Sequence, residues 1–371
     1  MISNITIHRD DKIITLTYRT SSINYRTVSI QGTAMQLYVH SSGTLIKQKD
    51  GCFRLSNQDR HMDVSPEKLE SIVTTNKAMI STQAVILALE HNIDVIFLDS
   101  RGDPRGRIWF SKMGSTAMIR RRQLEAEISG LGLKLVNDLV REKVKNQIRF
   151  LKKLAHARPG KATFFNGPLQ TLEDILAKFS FPEENLADVR NVVMGFEGSA
   201  GRAYFQCLSN IMPQSYQFKG RSRRPAKDPF NAVLNYGLGM LYSRVEKACI
   251  IAGLDPYVGF LHTDNYNKKS LVFDMIEPFR IYAEQTTVYL FTGKKMKDAY
   301  FDRSEHGVSL NEKGKPIVIE ALNRHMDEKI RYRGRNIKRK HIIYQEAHNM
   351  ANILLADEGG KRPAWLDIKE F

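Results

Sequence analysis

The sequence predicts an α+β protein, with a small N-terminal β-rich domain followed by a larger C-terminal all-α domain. Three observations carry this. The first 110 residues alternate short β-branched runs with turn residues, and the remainder is long stretches of helical apolar spacing. A chain of 371 residues exceeds the usual size of one domain. No internal repeat or low-complexity tract interrupts it.

In the first part, 13–18 (IITLTY) and 27–30 (TVSI) are strand-like. Residues 36–40 and 44–47 flank Ser41-Ser42-Gly43, a hairpin signal. Ser81 is a natural N-cap for a helix over 81–91. The unbroken apolar run 93–98 suits a buried strand, Asp99-Ser-Arg-Gly-Asp is turn chemistry, and Gly106-Arg-Ile-Trp begins the next strand. The domains expected are 1–34 as an extension packed on or continuing the β domain, 35–110 as the β domain, and 111–371 as the helical domain.

In the second part, helical periodicity covers 114–156, 167–179, 185–212, 229–253, 268–287, 315–332 and 340–356. The stretch 214–229 is polar, basic and proline-containing, and reads as a loop between helices with room for mobility. About fifteen residues follow the last helix, too few for an added DNA-binding module.

Composition narrows the function. Lys and Arg outnumber Asp and Glu by 56 to 40, a formal net charge of +16, which favours a polyanionic partner such as nucleic acid. Cys52, Cys207 and Cys249 form neither a CxxC metal pattern nor a disulfide framework. There is no signal-peptide core at the N-terminus and no apolar run long enough to span a bilayer, so a cytoplasmic protein is expected.

Asp274 and Glu277 are three apart in a helical pattern and share a face among Leu271, Val272, Phe273, Met275, Ile276 and Phe279. Two carboxylates in so apolar a stretch need neutralising, by a divalent cation or by Arg280 or Lys269. His262 lies twelve residues earlier, ending Val258-Gly-Phe-Leu-His, and imidazole with carboxylates suits a divalent metal. A surface acid pair beside an unrelated histidine fits the same spacing. Glu197 sits in Gly195-Phe-Glu-Gly-Ser-Ala-Gly, where small residues let a backbone or a phosphate approach. The basic tracts Arg120-Arg121-Arg122, Arg221-Arg223-Arg224 and Arg331-Arg333-Arg335-Lys338-Arg339-Lys340 are candidate phosphate contacts. Tyr216, Phe218 and Tyr332 are interleaved as possible base-stacking groups. Any one tract alone fits a solvated face equally well.

Several ordered blocks resemble one family. They are Met35-Gln-Leu-Tyr-Val, Ala78-Met-Ile-Ser-Thr-Gln-Ala, Ile93-Asp-Val-Ile-Phe-Leu-Asp and Lys145-Asn-Gln, then Gly195-Phe-Glu-Gly-Ser-Ala-Gly-Arg-Ala-Tyr-Phe and Asp228-Pro-Phe-Asn-Ala-Val-Leu-Asn-Tyr, and finally Gly259-Phe-Leu-His and Ser270-Leu-Val-Phe-Asp-Met-Ile-Glu-Pro-Phe-Arg. Together they resemble the CRISPR-associated integrases that capture spacers, the Cas1 family, from Met35 onward. The resemblance implies a metal-dependent DNA endonuclease/integrase, with an N-terminal β dimerisation domain and a helical catalytic domain. It implies Mg²⁺ or Mn²⁺ held by Glu197, His262 and Glu277, with Asp274 a further acid nearby. It implies homodimers joined by a small Cas2 partner into a heterohexamer-like complex, acting on DNA with free 3′ ends and on CRISPR repeat DNA. A transposon integrase of related type and a non-catalytic DNA-binding protein are the competing readings.

Overall fold

The computed structural model describes residues 5–10, 13–18, 35–39, 42–58, 60–75, 78–91, 93–98, 104–108, 116–179, 186–262 and 268–356. The chain divides into two compact units, Met1–Lys112 and Met113–Phe371.

The first unit is strand-rich. Strands β1 (Ile5–Asp10) and β2 (Ile13–Tyr18) pair as an antiparallel ribbon. Next come β3 (Met35–Val39), β4 (Leu45–Lys49), β5 (Cys52–Asn57), β6 (Arg60–Val64), β7 (Leu69–Thr75) and β8 (Met79–Ile80). Helix α1 (Thr82–Glu90) precedes β9 (Asp94–Leu98) and β10 (Pro104–Ile108). Ser81 caps α1 by accepting a 3.2 Å hydrogen bond from the Ala84 amide. Two four-stranded sheets result, ordered β10-β9-β7-β3 and β6-β5-β4-β8. In β5 the alternation of a half-buried surface holds, with Phe53 and Leu55 inward. These join Leu37, Ile46, Ile72, Ala84, Ala88 and Val95 in one core.

The expected hairpin across Ser41-Ser42-Gly43 is not formed. Strand β3 pairs in parallel with β7, whereas β4 pairs with β5 and β8, so the turn carries the chain from one sheet to the other. Turn residues report a change of direction, and the pairing partner is decided by burial of Leu37 and Ile46 on each sheet's inner face. The strand expected at 27–30 lies outside the described residues.

The second unit is mostly helical. It contains α2 (Thr116–Ile128), α3 (Gly130–His156), α4 (Thr163–Lys178), α5 (Leu186–Ile211), α6 (Pro229–Ile251), α7 (Ser270–Met275) and α8 (Arg280–Thr292). The hairpin β11 (Phe301–Ser304)/β12 (Gly307–Leu310) follows, then α9 (Gly314–Asp327), the hairpin β13 (Lys329–Tyr332)/β14 (Arg335–Lys338), and α10 (Arg339–Leu355). Helix α8 is buried on every side except at Tyr289, so it is the central strut of the unit. Helices α3, α6 and α9 pack around it. Among the described residues no helix is long and apolar enough to cross a membrane.

Three sequence expectations change here. The helix expected over 114–156 is broken at Ser129, whose extended backbone (ψ 159°) precedes Gly130, a residue of low helix propensity. The helix expected over 268–287 is interrupted at Glu277–Phe279, which forms a tight 3₁₀ turn. Pro278 has no N–H to donate to the fourth residue back. The helix expected over 315–332 ends at Asp327, and the basic run beyond it is a hairpin. Arg333 (φ +47°) and Gly334 (φ +78°) make its two-residue left-handed turn.

Candidate active site

Four charged side chains from three separate parts of the second unit meet in the interior. Lys143 comes from the middle of α3, Glu197 from α5, and Glu277 and Arg280 from the 3₁₀ turn and the start of α8. The Lys143 ammonium lies 2.6 Å from Glu197 Oε1 and 2.5 Å from Glu277 Oε2. Arg280 donates to Glu277 Oε1 at 3.1 Å. Glu277 is 3% exposed and Glu197 17%, so the cluster is closed on the Glu277 side and open toward Glu197. Asn146, one turn along α3 from Lys143, donates to the Pro278 carbonyl at 3.0 Å and fixes that helix to the turn.

The charges are mutually maintained. Burial by itself would raise the Glu277 carboxyl, but Lys143 and Arg280 outweigh it and hold the group well below its ordinary value. Burial would likewise strip the Lys143 proton, and Glu277 and Glu197 reverse that. Arg280 follows the same pattern, with Glu277 as its main support. Behind this quartet on α8 lies Glu284, 1% exposed, whose carboxyl burial pushes up despite Arg280 and Lys143.

The second group is His262 and Asp274. Both Asp274 oxygens are committed to the 260–262 segment. Oδ2 accepts from the amides of Phe260 (2.6 Å) and Leu261 (3.0 Å), and Oδ1 from the amide of His262 (3.2 Å). The His262 ring meets the same carboxylate through Nδ1 at 2.5 Å. This leaves Nε2 as the ring nitrogen free to act elsewhere. Phe273 packs against the imidazole at 5.8 Å between centroids. The segment is also held from outside: Arg190 donates to the Phe260 carbonyl at 3.0 Å, and Gln123 donates to the Asp255 and Val258 carbonyls at 3.1 and 3.0 Å. Gly259 is required for this approach, because a Cβ there would come within 2.6 Å of Ser270.

Asp274 and Glu277 therefore share no partner, in contrast to one acidic helix face. Asp274, in α7, bonds the histidine segment, and Glu277, in the 3₁₀ turn that follows, pairs with Lys143. His262 is near enough to Glu277 for its charge to favour the carboxylate. Of the two cations expected to neutralise the acids, Arg280 does so, whereas Lys269 pairs with Glu246 at 2.8 Å. The glycines beside Glu197 do not serve close helix packing. A Cβ at Gly195 or Gly201 would meet nothing within 4 Å, and at Gly198 only the Arg202 side chain. Gly201, one turn along the same face, leaves open space next to the acid.

The basic tracts separate into outward and committed groups. Arg223 and Arg224 are exposed. Arg221 turns inward and donates to Asn231 Oδ1 at 2.9 Å, and burial with Arg280 and Arg223 nearby brings its pKa down to about 10. Arg331 and Arg335 are exposed on the β13/β14 hairpin, while Arg333 pairs with Glu346 (3.1 Å), Lys338 and Lys340 with Asp327 (3.4 and 3.0 Å), and Arg339 with Glu328 (2.5 Å). Arg121 is exposed, Arg120 lies 3.3 Å from Asp255, and Arg122 lies 2.9 Å from Glu125. Phe218 and Tyr332 are buried and Tyr216 packs on Phe291 at 4.9 Å, so these aromatics belong to the core. The 217–228 segment is a loop between α5 and α6, as expected, and it is tied down by hydrogen bonds. Asn231 donates to the Gly220 carbonyl (2.9 Å), Asn235 to the Ser222 and Arg223 carbonyls (3.3 and 2.5 Å), and Ser209 to the Phe218 carbonyl (2.6 Å).

Lys143, Asn146, Arg190 and Gln123 were not among the sequence candidates. Lys143 and Asn146 stood in or beside the Lys145-Asn-Gln block, whose interior polar residues on an otherwise apolar helix face were the available signal.

A strand-rich unit followed by a mostly helical unit is the plan that the resemblance to CRISPR-associated integrases implied. The comparisons with known proteins agree. The family model described as "CRISPR associated protein Cas1" matches residues 37–324. The chain is 32% identical over 333 residues to a CRISPR-associated endonuclease Cas1 of Archaeoglobus fulgidus, covering 86% of this chain and 96% of that one. Its fold is similar to a casposase bound to its integration product (TM-score 0.75, 20% identity, 91% of this chain and 94% of that one). It is also similar to a chain of a Cas6-RT-Cas1–Cas2 complex (TM-score 0.70, 20% identity, 92% of this chain and 37% of that one). The chain belongs to the Cas1 family.

Proposed function

We propose that this protein is a divalent-metal-dependent DNA endonuclease and integrase that inserts captured foreign DNA into a CRISPR array. The observation that carries this reading is the convergence of Glu197 and Glu277 on a single cation, 2.6 and 2.5 Å from one ammonium, beside a histidine already oriented through Nδ1.

The donor set fits Mg²⁺ or Mn²⁺: two carboxylates that already share a positive charge, and an imidazole whose Nε2 is free. Among the described residues no three acid, histidine or cysteine side chains are already grouped to hold an ion. The two glutamates are drawn together by Lys143, and His262 would complete the set. When bound, the ion supplies Lewis acidity and lowers the pKa of an attacking hydroxyl. Glu197, Glu277 and His262 would hold it. Asp274 keeps the His262 ring and the 260–262 backbone in place, as an orienting carboxylate behind a ligating imidazole does. Arg280 keeps Glu277 ionised.

In the joining reaction the 3′-hydroxyl oxygen of a captured end forms a new bond to phosphorus in the target strand. The existing bond to the target's 3′ oxygen breaks, and that oxygen leaves as a hydroxyl. Atoms and charge balance without an outside energy source. With water as nucleophile the same centre hydrolyses the strand. Exposed Arg223, Arg224, Arg331 and Arg335 would contact DNA phosphates. Double-stranded DNA with free 3′ ends, repeat DNA, a second copy of the chain and a small Cas2 protein are the partners of this reading, in a heterohexamer-like complex. The transposon alternative rests on a shared fold at 20% identity, and the non-catalytic alternative leaves the buried acid pair without a purpose.

The decisive experiment is a strand-transfer assay with the Cas2 partner. Glu197→Ala should lose both cleavage and joining while keeping the circular dichroism spectrum of the wild type. Joining at the wild-type rate by Glu197→Ala would refute the reading.

A further inference from the structure

The carboxylates that would receive a divalent ion are already neutralised. Glu197 and Glu277 bring two negative charges, and Lys143 and Arg280 bring two positive ones. All four are within ion-pair distance in a largely buried cluster, with Lys143 9% and Arg280 8% exposed. A doubly charged ion added to this neutral cluster leaves two uncompensated positive charges in a poorly hydrated place, which is costly. The excess can be relieved if an anion enters with the ion. Of the two cations only Lys143 touches both carboxylates. Its ammonium is a point charge on a four-carbon stem that can swing, whereas the planar Arg280 guanidinium pairs with Glu277, three residues before it in the chain. The open side of the cluster, at Glu197 and the empty space at Gly201 one turn further along the same helix face, gives the ammonium and an incoming strand a common direction.

We infer that Lys143 is a built-in counter-cation that makes divalent-ion entry conditional on DNA: the ammonium leaves the two glutamates when a phosphodiester arrives, pairs with that phosphate, and yields its place to the ion. It acts as a positioning residue, and the inference rests on the proposed metal site. Its consequence is reciprocal, since DNA that tightens ion binding must itself be bound more tightly when the ion is present.

The test is Mn²⁺ binding to the full chain, read by electron paramagnetic resonance of the free ion, with and without a short duplex bearing free 3′ ends. In the wild type the duplex should tighten Mn²⁺ binding about tenfold or more, within the usual range of coupling between sites. Lys143→Met should bind Mn²⁺ without DNA about tenfold more tightly than the wild type, and the gain from adding DNA should shrink by a similar factor. Its Tm without metal should fall and should rise on adding Mn²⁺ by more than the wild-type Tm does. Lys143→Gln serves where Lys143→Met fails to fold, and the wild-type comparison needs no variant. Equal Mn²⁺ affinity with and without DNA in the wild type overturns the inference, as does an unchanged affinity and coupling in the folded Lys143 variant. Glu197→Ala separates this from failure of the underlying reading. If Glu197→Ala weakens Mn²⁺ binding but the Lys143 results are negative, the metal site stands and the counter-cation role is wrong. If Glu197→Ala binds Mn²⁺ like the wild type, or no protein binds it under any condition, both fail.

Discussion

At the scale of the residue, His262 and Asp274 carry different burdens although they touch. Asp274 accepts three backbone amides and one ring nitrogen. Asp274→Ala leaves those donors without an acceptor, each costing about 1–3 kcal/mol. A total loss of about 3 kcal/mol or more is expected, seen as a fall in Tm of roughly 6 °C or more. His262→Ala removes a largely buried ring, 20% exposed, and should cost about 1–2 kcal/mol, yet abolish cleavage. Full Mn²⁺-dependent cleavage by His262→Ala would remove it from the proposed centre. Glu284 gives a pH signature. Its folded pKa is raised above the 4.5 of an ordinary glutamate, first by burial. Below that value both states hold the proton and nothing is lost. As pH rises through the folded value, burying the charge costs stability. Glu284→Gln should therefore raise Tm near pH 7 and leave it unchanged near pH 4. Thermal melts at the two pH values check the sign. Glu277 runs the opposite way: held low by Lys143 and Arg280, it stabilises the fold above its unfolded value of 4.5, and that contribution is lost as pH falls below it.

At the scale of the element, the basic segment 217–228 is a clasped strap. Asn231, at 0% exposure, bonds Asp228, Gly220, Ser222 and Arg221. Asn231→Ala should loosen the strap and lower stability by about 1–2 kcal/mol, because several half-buried partners lose their bonds at once. Protease cleavage within 217–228 would report the loosening, and unchanged resistance would show that Asn235 and Ser209 suffice. The same element teaches what sequence could convey. Its Arg, Ser, Pro and Lys content announced a loop, but the asparagines that hold it sit in the next helix, Pro229–Ile251, and read there as ordinary helical positions. The hairpin at Lys329–Lys338 is similar: Arg333-Gly334 was a legible turn signal, outweighed by helical spacing in the residues before it.

At the scale of the molecule, +16 net charge implies steep salt dependence. Binding of duplex DNA should weaken at least about tenfold between 50 and 200 mM salt, as released counterions dictate. Substituting exposed Arg223 or Arg335 by Ala should reduce the slope of log K against log salt by about 1 each. Arg339→Ala, whose guanidinium is held by Glu328, should leave that slope unchanged and lower Tm instead. Electrophoretic mobility shifts over a salt series distinguish these outcomes, and equal slopes for Arg223→Ala and wild type would take that strap off the DNA path.

The sequence by itself determined the α+β character, the strand-rich start and helical remainder, and Glu197, His262 and Glu277 as the residues on which the proposed centre rests. Periodicity and ordered blocks are local properties, and a linear reading reaches them. Only the tertiary structure decided that Asp274 serves the histidine rather than sharing a site with Glu277, and that Lys143 stands between two glutamates. Lys143 and Glu197 are 54 positions apart. Their meeting is set by how three helices pack around α8, and no window along the chain contains it. The acid pair that spacing alone puts on one helix face is divided by its partners, Asp274 bonding the 260–262 segment and Glu277 pairing with Lys143 and Arg280 across the 3₁₀ turn at Pro278.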